Sequence, residues 1–140
     1  MDGGQVALLK GNKLAASVWM SDVGGQRRVF AAIAEIGKSP AEEKAIEGGV
    51  QIQPDVMALA DGRALVAFEE GQRIKWVTLD EKGASASADA CDLAGDQHYP
   101  DLAQLPDGTV LVAFERSQKG QTSVVLARIT LANGDSGNGK

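Results

Sequence analysis

Residues 54–69 read PDVMALADGRALVAFE, and residues 100–115 read PDLAQLPDGTVLVAFE. The two stretches lie 46 positions apart and are identical at ten of sixteen places, a density that chance does not produce at one fixed spacing. A weaker copy stands upstream as VALLKGNKLAASVW, residues 6–19. There Gly11 aligns with Gly62 at an offset of 51, and Leu8, Leu14 and Ala16 fall opposite Leu59, Leu65 and Ala67. The chain therefore holds three repeats of 46–51 residues, the last one short.

Each repeat reads as a set of short β-strands. Asp61-Gly62 and Asp107-Gly108 sit between apolar runs, the signal for a two-residue hairpin whose glycine accepts positive φ. Asn12 and Lys13 beside Gly11 predict an altered first turn. After each turn comes an almost unbroken apolar run, 64–68, 110–114 and 14–19, and a run without alternation predicts burial on both faces. Third strands are expected at 28–35, 74–79 and 123–131, and weaker fourth strands near 45–52 and 85–92. Only Pro40–Lys44 could begin a helical turn. Four antiparallel strands per repeat, the second buried on both sides, predict an all-β chain of about three β-propeller blades. The expected blades are 5–53, 54–99 and 100–134, with 135–140 as a disordered end.

Composition narrows the function. The 140 residues carry 14 Lys+Arg against 19 Asp+Glu, so a net charge of −5 argues against a nucleic-acid groove. No apolar run reaches the length of a membrane span, and Met1-Asp2-Gly3-Gly4 does not read as a signal peptide. One Cys and one His leave no disulfide framework and no multi-ligand zinc site, so neither metal nor cofactor is expected. Seventeen glycines, about 12% against the usual ~7%, fit turns that recur in each repeat.

The pattern Gln-x-x-Pro-Asp followed by Leu-x-Asp-Gly and an apolar strand occurs at Gln51–Asp55 and again at Gln97–Asp101. It resembles the propeller repeats of bacterial sialidase-like proteins and of large secreted adhesins, over roughly residues 5–134. A degenerate trace of their Asp-box lies at Thr78–Gly83, with one extra residue and no following Trp. For an active sialidase the resemblance implies three arginines on a substrate carboxylate and a Tyr nucleophile assisted by Glu. Where the first arginine is expected this chain has Gln53 and Tyr99, and its one Tyr is Tyr99.

Five residues are candidates for a ligand site: Asp55, Asp101, His98, Tyr99 and Arg116. Asp55 and Asp101 each follow a proline at the head of a strand. They would either line a channel as a carboxylate ring or, the preferred reading, accept backbone N–H groups and fix the entry turn. His98-Tyr99 interrupts the repeat where the earlier copy has Ile52-Gln53. An imidazole beside a phenol can contact a ligand, but packing of Tyr99 against a neighbouring blade is the preferred reading. Glu69 and Glu115 are expected to be solvated or paired with Arg73 and Arg116, and Cys91 to be a small buried residue of an outer strand.

Three blades do not close a ring, since propellers take four to eight. Each uncovered blade face of about 500 Å² would be worth roughly 12 kcal/mol if buried. The expectation is therefore a homodimer, two chains pairing head to tail into a six-bladed ring. Its function would be that of a non-enzymatic binding or interaction module for a carbohydrate or another small polar ligand. The alternatives are a sialidase-like carbohydrate-active protein or a fragment of a longer propeller.

Overall fold

The computed structural model describes residues 2–131, and every regular element in that span is a β-strand. Three antiparallel sheets follow one another along the chain. The first contains β1 (Asp2–Leu8), β2 (Leu14–Val23), β3 (Gln26–Glu35) and the short β4 (Lys44–Ala45) in that spatial order. The middle sheet contains β5 (Gln51–Ala58), β6 (Ala64–Glu70) and β7 (Arg73–Asp80), with β8 (Gly83–Ala84) and β9 (Ala88–Asp89) both pairing with β7. The third contains β10 (Asp96–Gln104), β11 (Val110–Gln118) and β12 (Gln121–Ile129). The strands that open the middle and third sheets begin ahead of Pro54 and Pro100, because Gln51 and Gln97 already pair with the neighbouring strand. The end of the third expected blade, residues 132–134, and the expected disordered end 135–140 lie outside the described residues.

The middle sheet is sandwiched between the other two, and β6 shows why its sequence does not alternate. Ala64, Val66 and Phe68 pack with Val18, Val29 and Ile46 of the first sheet. Leu65, pointing the other way, packs with Val112 and Phe114 of the third. Residues 64–69 are all buried, and full burial of Leu65, Val66 and Phe68 contributes about 1.5–3 kcal/mol apiece. The same expectation fails for β2 and β11. Both alternate between buried and half-buried residues, because each of these strands has a sheet on one side only.

The hairpin prediction needs refining in the same way. Leu59 N–H donates to Arg63 O at 2.8 Å and Gly62 N–H to Leu59 O at 3.2 Å, and Leu105, Thr109 and Gly108 repeat the pattern. Glycine alone takes positive φ in each turn, 92° at Gly62 and 88° at Gly108. That is a three-residue loop ending in a left-handed glycine rather than a two-residue turn, in which both central residues would be left-handed. In the first turn Gly11 and Asn12 both have positive φ, the altered geometry expected there. Residues 40–43 form no helical turn, and the fourth strands shrink to two-residue pairings. With Ser, Gly and charged residues around them, these outer segments offer little apolar side chain to hold a longer strand.

One irregularity recurs in all three sheets. Pairing of the opening strand with its neighbour slips between Asp2 and Gly4, between Ile52 and Asp55, and between His98 and Asp101. At the slip Gly3, Gln53 and Tyr99 have φ of 56°, 53° and 59°. A left-handed residue in a bulge turns its N–H out of the ladder, and that donor must find a partner elsewhere.

Candidate functional site

The displaced N–H groups are where the sheets are fastened together. Tyr99 N–H donates to Glu69 Oε1 of the middle sheet at 2.5 Å, and Gln53 N–H reaches Met20 Sδ of the first sheet at 3.3 Å. Glu69 is the last fully buried residue of β6, with 4% exposure, and its second oxygen lies 3.3 Å from His98 Nδ1. It is thus neither solvated nor paired with Arg73. Arg73 instead donates to the carbonyls of Cys91 and Leu93, both at 2.9 Å. The reason is geometric: the left-handed turn at Tyr99 aims a backbone donor at the end of β6, and a carboxyl group there satisfies it.

Two buried glutamines fasten the sheets a second time. Gln51 Oε1 accepts Val29 N–H of the first sheet at 3.2 Å, and Gln97 Oε1 accepts Ile74 N–H of the middle sheet at 2.9 Å. Their amide nitrogens donate at 3.1 Å to the carbonyls four residues back, Glu47 and Leu93. Both side chains are fully buried, and each satisfies an edge N–H, Val29 or Ile74, that would otherwise be orphaned. These glutamines and Glu69 were missed as inter-sheet contacts by sequence reasoning. The available signal was their recurrence, Gln51 with Gln97 and Glu69 with Glu115.

Four of the five candidate residues gather at this junction. Asp55 Oδ2 accepts Leu102 N–H of the third sheet at 2.8 Å, and Oδ1 accepts Val56 N–H at 2.9 Å. Burial raises the Asp55 carboxyl above the ordinary range, opposed by those two hydrogen bonds and aided by the like charge of Asp101 beside it. His98 and Tyr99 rings lie 5.9 Å apart at a 48° tilt. The Tyr99 side chain is not packed against a neighbouring sheet; the residue is 61% exposed, because its left-handed backbone directs the N–H inward and the ring outward. Arg116 is held away from the group, its guanidinium donating to Ala94 O and to Gln118 Oε1.

The chemistry of this cluster is that of acceptors already engaged by the backbone. Glu69 touches the Tyr99 amide, not its phenol. Among the described residues no three His, Cys, Asp or Glu side chains gather as metal ligands. Cys91 lies in no strand; it is half-buried against the second core, with its sulfur 3.4 Å from Gln97 Nε2.

The outer faces of the end sheets differ from the junctions. On the first sheet Val6 is 68% and Leu8 55% exposed, beside Trp19, which stacks on Phe30 with centroids 5.9 Å apart. Val6, Leu8, Trp19, Ala15, Ala32 and Ala34 border a groove of about 570 Å³. On the third sheet Val124 and Leu126 are 77% and 69% exposed. No protein-family profile matches the chain, and none of the curated proteins matches it.

Proposed function

We propose that this chain is a non-enzymatic β-propeller module for binding or interaction, its three sheets being consecutive blades of a ring that two copies complete head to tail as six. The observation that carries this reading is the middle sheet, buried on both sides by neighbours stacked in chain order, while the outer faces of its two neighbours leave Val6 and Leu8, and Val124 and Leu126, exposed. A monomer does not ordinarily leave two such faces in water. A head-to-tail contact repeated twice closes with twofold symmetry.

The ligand surface in this reading is the exposed junction around Tyr99, His98 and Asp101, suited to a carbohydrate or another small polar molecule. A sialidase-like reaction is less well supported. The one Tyr has its amide rather than its hydroxyl on Glu69, and Arg116 is taken up by Ala94 and Gln118. The test is the mass in solution by sedimentation velocity, together with a glycan array and a fluorogenic sialoside assay. A species of twice 14.6 kDa without sialoside turnover is expected. A cooperatively unfolding monomer overturns the ring, and turnover lost in Tyr99→Phe overturns the non-enzymatic reading.

A further inference from the structure

The junction between the middle and third sheets defines what a sheet needs in order to accept the next one. Its acceptors are Glu69 for the left-handed residue's N–H and Asp55 for the N–H three residues later, that of Leu102. Strand register places Glu115 and Asp101 at the same two positions on the third sheet. Glu69 pairs with Ile52 and Glu115 with His98 across their ladders, and Asp55 and Asp101 pair with Ala67 and Ala113. These two acidic residues belong to the face that carries Val124 and Leu126, since Glu115 pairs with Val124 and Ala113 with Leu126. Among the described residues the Glu115 carboxyl group has no hydrogen-bond or ion-pair partner. The third sheet thus repeats the receiving face of the middle sheet.

The complementary strand is also in the chain. β1 carries the same bulge, with Gly3 at φ 56° where Gln53 and Tyr99 have 53° and 59°. Trp19, on the outer face of the first sheet, stands beside that bulge, as Phe68 stands beside the bulge of the middle sheet, which inserts it toward its predecessor. We infer that the outer face of the third sheet is a docking surface for the first sheet of a second copy of this chain, in which Glu115 accepts Gly3 N–H and Asp101 accepts Val6 N–H. This rests on the ring reading above and adds to it the residues that set the register of the joint. Apolar faces alone would let two sheets slide, whereas a directional acceptor meeting one displaced N–H admits a single alignment.

The test compares the wild-type chain with Glu115→Ala, Glu115→Gln and Val124→Lys by sedimentation velocity, with circular dichroism to verify folding. Two identical joints per ring double the effect of each lost hydrogen bond to an acidic acceptor, so Glu115→Ala should weaken the dimer about 100-fold or more. Glu115→Gln, which keeps an acceptor oxygen, should stay within about tenfold of wild type. Val124→Lys, placing a charge in the joint, should give folded monomers. A wild-type dimer that Val124→Lys dissociates and Glu115→Ala leaves unchanged overturns the role of Glu115 while the ring stands. A wild-type monomer overturns both.

Discussion

Glu69 Oε1 accepts the Tyr99 N–H at 2.5 Å, joining the last buried residue of β6 to a left-handed residue 30 positions later in the neighbouring sheet. Neither half of the contact stands alone. Without the bulge the N–H would point along its own ladder, and without Glu69 a displaced donor would be left at a buried junction. Because Glu69 also meets His98, Glu69→Ala should cost about 2–3 kcal/mol, and Glu69→Gln, retaining one acceptor, about 1 kcal/mol. Urea unfolding of both variants measures the difference, and equal costs would show that the acceptor oxygen is not what matters.

Tyr99 holds φ 59° with a solvent-exposed ring. Tyr99→Phe should therefore leave stability within about 0.5 kcal/mol of wild type. Tyr99→Val should cost about 1–2 kcal/mol, since a β-branched side chain tolerates the left-handed region least. Thermal unfolding of the two variants tests whether the backbone, rather than the ring, is what the fold uses at this position.

Removing the amide of Gln97 orphans the buried Ile74 N–H and leaves the Leu93 carbonyl with Arg73 as its remaining donor. Gln97→Ala should cost about 2–4 kcal/mol, more than an average core truncation of the same size. Amide exchange at Ile74 offers a local readout: its protection should fall further than that of Val77, which lies in the same strand but does not contact Gln97.

Gly108 and Gly95 both have positive φ, 88° and 106°, but their surroundings differ. A Cβ at Gly108 meets nothing within 4 Å, whereas one at Gly95 lies 2.6 Å from Ser117 O. Gly108→Ala should cost about 1 kcal/mol from backbone strain alone. Gly95→Ala should cost clearly more, because the clash is with backbone that cannot rotate away. Chemical denaturation of the pair ranks them.

Asp55 titrates above the ordinary carboxylate range, chiefly through burial, with Asp101 adding to the shift. The folded state then binds this proton more tightly than the unfolded chain does. Its contribution to stability is full below the ordinary carboxylate range and is lost as pH rises through the raised Asp55 value. In Asp101→Asn the Asp55 midpoint should move down yet stay above the ordinary range, as followed by carboxyl carbon NMR. An unmoved midpoint would show that the two side chains do not sense each other.

Strand positions and the three-fold repetition were legible because they depend on short-range chemistry. Alternation or its absence, a glycine after an aspartate and a fixed offset are all written in neighbouring residues. The same local sequence cannot report its surroundings. Trp19, Phe68 and Phe114 each stand beside the bulge of their own sheet, yet Phe68 and Phe114 are buried and Trp19 lies on an open face. Only the order in which sheets stack decides that.

Glu69 and Glu115 make the division plainest. The amino-acid sequence alone determined that each ends an apolar run, in the shared segment LVAFE. It could not distinguish them, and it suggested for both a side chain that is solvated or paired with a nearby arginine. Tertiary structure buries Glu69 to 4% exposure and supplies it with two partners, because a further sheet arrives with a displaced N–H and an imidazole. Among the described residues Glu115 receives no such sheet. Burial and polar satisfaction belong to the pair of surfaces that meet, and only one of those surfaces is encoded next to the residue itself.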